Sequence, residues 1–496
     1  MKKKKVLASV ATVTIFGVIT RVISFVFKIY LSRKLGAEAI GLYQMAVSVF
    51  FLFAAFACGG IPVVLSRKTA ENSALGKSDD HNLLSSALLV GCGISIVLCA
   101  LIGILNDKLS FLFSDKGAVH VFLIMSPALL STTVYSVLRA YLWGKKEFSA
   151  FSATETAEEI LRIAFCILFL SGMIGSISGA NGVALAFTVS DVTVAMILLA
   201  IFFIKGGRLK KPTMVKGIIV PSLPVTGMRI FGSLMATLIA FILPFRLMAY
   251  GMSSAEATAS YGRIAGMATP LLFAPNAIIG SIAIVLVPEM SANGAKKAYA
   301  DLNRHLNNGI NFALLISGAF LVIYLALGKD ITCILYKDEI SGEYLRFASF
   351  LVLPMGIAQL TQSALNSIGK EYRAFANYLI SNAFLIVAII ILPKYIGIYS
   401  VAVASMLSTL ITCALNVYAL NKYTGFGYSF LKYFVYVLLF ALPCAFGASS
   451  LNNVLDDNVF TVALSALFGV VAYAGLCFAA ELVDIKGFLK LRKKRT

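Results

Sequence analysis

Long apolar runs recur along the whole chain, separated by short polar segments. An α-helix needs about 20 apolar residues to cross a bilayer, and shorter segments of about 18 residues still suffice. The runs predict about 14 transmembrane helices, roughly at 6–31, 40–65, 82–105, 119–143, 152–173, 181–204, 216–248, 257–287, 308–327, 345–367, 373–392, 397–420, 430–448 and 459–482. The pattern therefore predicts an all-α polytopic membrane protein.

The composition supports this fold class. Hydrophobic residues make up 59% of the 496 positions and charged residues only 13%, with a mean hydropathy of +0.89. The first apolar run follows a lysine-rich start, as in a signal peptide, but Arg21 interrupts it and no small-residue cleavage site follows. We interpret it as an uncleaved first span.

The distribution of basic residues predicts the orientation. Most of the 42 lysines and arginines fall in loops on the side of the lysine-rich N-terminus, which the positive-inside rule makes cytoplasmic. An even number of spans then places both termini in the cytoplasm. The net charge of +19 reflects this topology, so nucleic acid is not predicted as a partner. Lys205, Arg208, Lys210 and Lys211 form a cytoplasmic linker facing anionic headgroups.

The sequence carries no pattern typical of a cofactor or metal site. The eight cysteines lie mostly in apolar stretches without paired metal-ligand spacing, and the three histidines are isolated. There is no Walker motif or nucleophile constellation. We therefore predict no cofactor, no metal and no disulfide framework.

The chain repeats itself. PALLSTTVYSVLRAYLWGKKEFSAF from Pro127 corresponds to PMGIAQLTQSALNSIGKEYRAF from Pro354, and TRVISF from Thr20 corresponds to MRIFGS from Met228. Because each repeat contains six spans, the halves keep one orientation, as in transporters that rock two lobes around a central site. We predict an N-lobe at 1–212, a C-lobe at 213–424, and spans 13 and 14 with a basic cytoplasmic tail at 425–496.

Two six-helix lobes, two extra C-terminal helices and a basic residue deep in the first span resemble the multidrug/oligosaccharidyl-lipid/polysaccharide (MOP) exporter superfamily. The stretch LRAYLWGKKEFSAFSATETAEEILRI, Leu138–Ile163, is similar to the stage V sporulation protein B group of polysaccharide transporters, relatives of the lipid II flippases. The resemblance implies a protein of the bacterial cytoplasmic membrane that flips a polyprenyl-diphosphate-linked saccharide, a lipid II-like cell-wall or polysaccharide precursor, to the outer leaflet. Its expected partners are this glycan lipid and the bilayer, and we expect a monomer.

Charges inside the apolar runs are the candidate functional residues, because charges at such depth are costly and usually face a bundle interior or a wet cavity. The basic ones are Arg21, Lys28, Arg139, Arg162, Arg229 and Arg263. They outnumber the acidic residues Glu158, Glu159 and Asp191 at comparable depth. This excess of positive charge predicts an anionic substrate.

Four of the basic residues are predicted substrate ligands. Arg21 lies about 22 Å along the first span, too deep to extend easily to the cytoplasmic headgroups, and Arg229 is its repeat mate. The resemblance assigns Arg21 and Arg263 to cavity arginines of the flippases, so we expect both to face one central cavity. Lys28 shares a helical face with Arg21, whereas the family carries an arginine one position earlier, at Phe27. An outward position for Lys28 and a packing role for Arg229 are the alternatives.

The other deep charges are interpreted as structural or gating residues. Glu158 and Arg162 are spaced i, i+4, which predicts an ion pair on one helix face. Arg139 lies one turn from the cytoplasmic end of its span, so we expect it to extend toward the headgroups. Asp191 has no partner nearby in sequence and is expected to pair with Arg21 or Arg139, with a protonation site as the alternative.

The predicted function is therefore a flippase that works by alternating access and binds the diphosphate in a cationic cavity, a secondary transporter and not an enzyme. The first alternative is a MATE-type multidrug/cation antiporter, which would need intramembrane carboxylates. An enzyme of lipid-linked glycan assembly would need a large outer loop, but the longest predicted outer connection is only Gly328–Tyr344. The glycan, the driving force and a vegetative or sporulation role are left open.

Overall fold

The structure is a computed structural model that describes residues 2–75, 80–172, 179–427, 429–455, 458–480 and 482. Within these ranges the chain is almost entirely helical and contains no β-strand. It divides into two compact units, Met1–Gly262 and Arg263–Thr496. The all-helical fold class predicted from the apolar runs is confirmed.

The first unit contains α1 Lys2–Cys58, α2 Ile61–Leu75, α3 Asp80–Ile104, α4 Lys116–Met125, α5 Ala128–Gly144, α6 Phe148–Leu170, α7 Gly179–Ile204, α8 Val215–Ala249 and α9 Ser254–Gly262. The second contains α10 Thr269–Leu272, α11 Ala274–Ala295, α12 Tyr299–Tyr336, α13 Glu339–Ala348, α14 Val352–Ser367, α15 Glu371–Ile391, α16 Pro393–Ile396, α17 Ser400–Thr424, α18 Phe430–Val454 and α19 Val459–Ala479. A π-helical segment, Arg263–Ala268, precedes α10.

Helix α1 contains both of the first two predicted spans. The sequence predicts two spans at 6–31 and 40–65, but helical structure continues through the connection and is interrupted only at Gly36, with φ 78° and ψ 175°. Glycine adopts a positive φ without steric cost, so one residue is enough to redirect the helix. The second span ends at the turn Gly59–Gly60, after which α2 begins.

Ten helices of the described chain are long and apolar enough to cross a membrane, or twelve if each of two bent pairs counts as one span. The predicted number of about 14 exceeds this count for two reasons. Helix α1 is counted once although it contains two predicted spans. Helix α6, predicted as a span at 152–173, carries Glu155, Glu158, Glu159 and Arg162, which makes it too polar to qualify by composition.

The compact units divide at Gly262, whereas the repeat pattern predicts a lobe boundary at 212. The later division arises because α8 and α9 both pack against α1. The amide of Gly60 donates to the hydroxyl of Thr226 on α8 at 2.9 Å. A Cβ at Gly60 would lie 2.2 Å from the carbonyl oxygen of Ser222, so α8 approaches this turn at backbone distance. The three-part division of the chain at 212 and 424 stays a prediction.

Two buried apolar clusters organise the first unit. One joins α2, α3, α5, α7 and the start of α8 around side chains such as Leu65, Leu84 and Leu138. The other joins α1, α6 and α7 around Phe27, Cys166 and Val183. These contacts fix α5, α6 and α7 beside one another, and the charged residues described below lie on these helices.

Polar side chains connect helices in the second unit. The Asn377 amide on α15 donates to Asn416 Oδ1 on α17 at 2.9 Å, and both residues are buried. Asn303 on α12 donates to the carbonyl of Thr424 at 2.8 Å. Such interhelical hydrogen bonds typically contribute about 0.6 kcal/mol each in a membrane.

Large apolar side chains also cover much of the outer surface. Val97 is 66% exposed, Leu467 61% and Phe446 76%, although each lies within a long helix. Extended exposed apolar surface is unfavourable in water and suits contact with lipid. Together with the apolar helices, these side chains identify a multi-span membrane protein.

Candidate functional site

Arg21 and Lys28 lie on α1, and both are exposed. The neighbouring Thr20 is buried and shares a hydrogen bond of 2.8 Å with Thr156 on α6, which fixes the position of α6 beside Arg21. Lys28 lies close enough to Glu159 on α6 for their charges to interact. Neither Arg21 nor Lys28 forms an ion pair with another described residue.

Phe27 explains the direction of Lys28. It is buried in the cluster with Cys166 and Phe169 of α6, so the position at which the family carries an arginine belongs to the apolar core here. The next residue along the helix points about 100° away from it. The side chains of Lys28 and Phe27 therefore leave α1 in different directions, and Lys28 lies outside the apolar cluster that contains Phe27.

Arg229 on α8 is also exposed and has no ion-pair partner among the described residues. The guanidinium group of Arg229 lies close enough to the thiol of Cys58, the last residue of α1, for an electrostatic interaction. The Thr226 hydroxyl, about one turn earlier, accepts the Gly60 amide hydrogen bond. The packing thus holds Arg229 in the same unit as Arg21 and Lys28, and none of these three predicted ligands forms an ion pair with a described residue.

The sequence predicts that Arg139 on α5 extends toward the headgroups, but in the structure it pairs with a neighbouring helix. Its guanidinium group donates to Glu155 on α6 at 2.8 Å, and it lies over the rings of Phe151 at 4.0 Å and Tyr135 at 5.2 Å. The side chain is only 18% exposed. A carboxylate on the neighbouring helix and two aromatic faces therefore hold this arginine inside the bundle.

Arg162 is held by two carboxylates of its own helix. It pairs with Glu158, one turn earlier, as the i, i+4 spacing predicts, and also with Glu159 at 2.9 Å. The same guanidinium group lies 5.1 Å from the centre of the Phe187 ring on α7. All three charged side chains are less than one-fifth exposed, so this is a largely buried ion-pair triad.

Asp191 on α7 does not pair with Arg21 or Arg139. Its Oδ2 accepts hydrogen bonds from the hydroxyls of Thr132, at 2.6 Å, and Ser131, at 3.0 Å, both on α5. The residue is 3% exposed. The predicted salt bridges do not form because α7 turns this carboxylate toward the hydroxyl face of α5.

The interior of α5, α6 and α7 is therefore not basic. Two arginines there face four carboxylates, one of which, Glu155, was missed as a deep residue in the sequence. Glu155 lies three residues before Glu158, and this spacing on one helix face was the available signal. Among the predicted site residues of this unit, the cations without an ion pair to a described residue are Arg21 and Lys28 on α1 and Arg229 on α8.

Arg263 belongs to the second unit and begins its π-helical segment. Its Nε donates to Asp338 Oδ2 at 2.9 Å, and both side chains are mostly buried. Asp338 also caps α13, because its Oδ1 accepts the amide of Ser341 at 2.7 Å. An anion that binds Arg263 has to replace or join this carboxylate. No local pattern in the sequence indicates this partner, which lies 75 residues away.

Within the described part of the chain, no group of three or more histidine, cysteine or acidic side chains is arranged to hold a metal ion. The polar groups of the first unit suit a different chemistry. Unpaired Arg and Lys side chains on apolar helices attract an anion, whereas the cluster on α5 to α7 has an excess of carboxylates.

Comparison with known proteins identifies the group to which this architecture belongs. The family described as polysaccharide biosynthesis protein matches residues 6–293. The chain belongs to this family. The match includes the first unit from residue 6 onward and therefore Arg21, Lys28, Arg229 and the charged residues of α5 to α7, together with Arg263.

Two curated relatives come from Bacillus subtilis (strain 168). Stage V sporulation protein B is 27% identical over 390 residues, which cover 74% of each chain. Sporulation protein YkvU is 25% identical over 305 residues, which cover 59% of this chain and 66% of that protein. The predicted similarity to the stage V sporulation protein B group is confirmed.

Solved structures share the fold. The lipid II flippase MurJ in an inward closed conformation matches with a TM-score of 0.76 and 16% identity, covering 94% of this chain and 97% of that one. An inward-facing multidrug resistance MATE family transporter of the MOP superfamily matches with a TM-score of 0.69 and 14% identity, covering 85% and 100%. At these identities the likeness defines the fold, which flippases and drug transporters have in common.

Proposed function

We propose that this protein is a flippase that moves a polyprenyl-diphosphate-linked saccharide from the inner to the outer leaflet by alternating access. It acts as a secondary transporter and catalyses no covalent reaction. Its fourteen spans form two six-helix lobes related by a pseudo-two-fold repeat, with two additional C-terminal helices. Both termini are cytoplasmic, and the protein works as a monomer in the bacterial cytoplasmic membrane.

The observation that carries the proposal is the contrast between paired and unpaired cations in the first unit. Arg139 and Arg162 are neutralised by carboxylates. Arg21, Lys28 and Arg229 have no ion pair with any described residue, although they lie on apolar helices. Uncompensated charge at such positions is costly unless a ligand or water is present. A diphosphate supplies the missing negative charge, and guanidinium groups bind its oxygens through paired hydrogen bonds.

Arg263 is the fourth proposed ligand, and unlike the other three it already forms an ion pair within the protein. Its guanidinium group is engaged by Asp338, so substrate binding exchanges one anion for another there. Arginine has five N–H donors, and the Nε hydrogen bond to Asp338 leaves the terminal nitrogens for a phosphate oxygen. The interaction with substrate is therefore weaker at Arg263 than at an unpaired cation.

The test is leaflet translocation in proteoliposomes. Lipid II and an unrelated polyprenyl-linked glycan are each supplied on one side, and transport by the wild type is compared with that by Arg21→Ala and Arg263→Ala. We expect a loss of at least ten-fold for Arg21→Ala, because a charge-assisted hydrogen bond contributes about 1.5–3 kcal/mol. We expect a smaller loss for Arg263→Ala.

The matched control is Arg304→Ala, since Arg304 is an exposed arginine of α12 whose ion-pair partner among the described residues is the exposed Asp301. Transport by this variant should equal that of the wild type. If Arg21→Ala and Arg263→Ala both transport at the wild-type rate, the cationic-site proposal is wrong. Transport of lipid II but not of the unrelated glycan would identify a cell-wall precursor as the substrate class.

A multidrug/cation antiporter is the second candidate, and the acidic excess on α5 to α7 favours it. Asp191 is buried, and its hydrogen-bond donors among the described residues are neutral hydroxyls, an arrangement in which a carboxylate can gain and lose a proton. Efflux of a cationic drug that depends on a proton gradient and is lost in Asp191→Asn, without lipid movement, would support the antiporter. Lipid movement without drug efflux would support the flippase.

A further inference from the structure

A second polar site lies where α3 begins and α5 and α7 end, and its lining includes none of the predicted site residues. A cavity of about 180 Å³ opens there, entirely within the first unit. His81, Tyr141 and Phe202 form an aromatic wall with ring centres 5.9 to 6.2 Å apart. Leu142 and Leu198 contribute apolar surface on the side of the helices.

Two lysines line the opening, and each has one acidic partner. Lys145 pairs with Asp80, which is buried at the start of α3, and lies 5.7 Å from the Tyr141 ring centre. Lys205 pairs with Glu147 at 2.7 Å. Each pair is neutral in itself, so the two pairs add no net charge to the edge of the cavity.

The excess positive charge comes from the linker that follows α7. Arg208 and Lys210 are exposed and form no ion pair within the described residues, and their charges act on the His81 ring. The backbone amide of Lys210 donates to the Ser85 hydroxyl at 2.9 Å, which holds the linker against α3. Next to the lining residue Gly207, the linker therefore brings two cations to the cavity that have no ion-pair partner among the described residues.

The cavity wall also has an unused polar atom. Nδ1 of His81 is buried and has no hydrogen-bond partner among the described residues. Buried polar atoms are nearly always paired with protein, water or ligand. His81 lines the cavity, so a bound polar group lies beside a side chain whose hydrogen-bonding capacity is not fully used within the described residues.

The size of the cavity limits its occupant. Sites for drug-sized ligands enclose about 300–1,000 Å³, so a cavity of about 180 Å³ is too small for the saccharide of the proposed substrate. It suits a phosphate with a small substituent. The residues next to its lining, Phe203 and Ile204, are 47% and 84% exposed, so apolar surface suited to acyl chains begins directly beside the basic rim.

We propose that this pocket binds the headgroup of an anionic phospholipid from the leaflet on its own side of the membrane. Basic pockets between transmembrane helices bind such headgroups through their phosphates. The phosphate lies near Lys145, Lys205 and the linker cations, and the acyl chains lie along α7. Bound lipid thereby connects the linker to α3 and α5, independently of what the protein transports.

The test uses the full-length protein in detergent and measures binding of phosphatidylglycerol and phosphatidylethanolamine by native mass spectrometry. The wild type should prefer phosphatidylglycerol. The double variant Arg208→Gln/Lys210→Gln removes the unpaired cations and leaves both ion pairs intact. Because each basic residue near an anionic lipid contributes about five-fold in affinity, we expect binding about 25-fold weaker.

The matched control is Lys296→Gln/Lys422→Gln, which removes two exposed lysines without ion pairs from the second unit. It should bind phosphatidylglycerol as the wild type does. Ile201→Trp fills the cavity without changing charge, and it should also abolish the preference for phosphatidylglycerol. Size-exclusion chromatography and the unfolding temperature establish that each variant is folded.

Three results would overturn the proposal. Equal binding of both lipids by the wild type would remove the basis for an anionic headgroup. Equal weakening by the two double variants would mean that net charge, and not this pocket, determines lipid binding. If glycerol 3-phosphate displaces phosphatidylglycerol as effectively as the lipid itself does, the occupant is a soluble anion and not a lipid.

Discussion

Replacing Arg162 by methionine will leave two carboxylates without a direct counter-charge inside the bundle. The side chains of Glu158 and Glu159 are 17% and 11% exposed, and both contact this single guanidinium group. Removing one partner of a buried ion pair typically costs about 3–5 kcal/mol, because the remaining charge stays desolvated. We expect a loss of stability in this range for Arg162→Met.

The exposed pair of Arg67 and Glu71 provides the control. It has the same i, i+4 geometry, but its atoms are 3.7 Å apart and its side chains are 63% and 60% exposed. Exposed pairs contribute about 0–1 kcal/mol, so Arg67→Met should be nearly neutral. The assay is reversible unfolding in mixed detergent micelles, with the free energy of unfolding compared among the wild type and the two variants.

A triple variant separates lost charge balance from lost packing. Glu158→Gln and Glu159→Gln, added to Arg162→Met, remove the charges that the single change leaves unpaired. Replacement of a whole buried ion pair by neutral groups is often close to neutral, so the triple variant should regain most of the lost stability. If Arg162→Met costs no more than Arg67→Met, or if the triple variant is less stable than the single one, the argument from buried charge is refuted.

Three further predictions concern other parts of the molecule. Asp338→Asn keeps an acceptor for the α13 cap but removes the charge beside Arg263, so transport should reach half its maximal rate at about ten-fold lower substrate concentration; an unchanged value would exclude competition at this arginine. Gly60→Ala places a Cβ 2.2 Å from a carbonyl oxygen of α8 and should lower the free energy of unfolding by about 1–3 kcal/mol in the same assay. At the control position, Gly227→Ala, the new Cβ meets nothing within 4 Å, so the free energy of unfolding should not fall. Asn377→Leu removes a buried interhelical hydrogen bond and should cost about 0.6–1.7 kcal/mol; no measurable loss would contradict a stabilising role.

The sequence predicted the features that depend on local spacing. Apolar length identified the helices, because a span of fixed thickness sets their minimum size. The pair of Glu158 and Arg162 followed from helical periodicity, since residues four apart share a face. The break between the first two spans was harder to predict, because a single positive φ at Gly36 replaces a loop.

Features that depend on how helices pack could not be predicted in the same way. Glu155 meets Arg139 only because α6 folds back along α5 after the intervening turn. Asp191 turns to hydroxyls on α5, and the sequence contains no rule that selects these donors over a distant arginine. A count of deep charges therefore overestimated the positive charge that is available to a substrate.

The four charges of α6 have a consequence for biosynthesis. A charged residue near the centre of a helix costs about 2.5–3.5 kcal/mol when that helix enters the bilayer alone. Arg162 offsets part of this cost through carboxylates of the same helix, but Glu155 depends on Arg139 of α5. Helix α6 should therefore leave the translocon together with α5, as a hairpin whose ion pair has already formed. The charge pattern of the mature bundle thus also determines the order in which its helices enter the membrane.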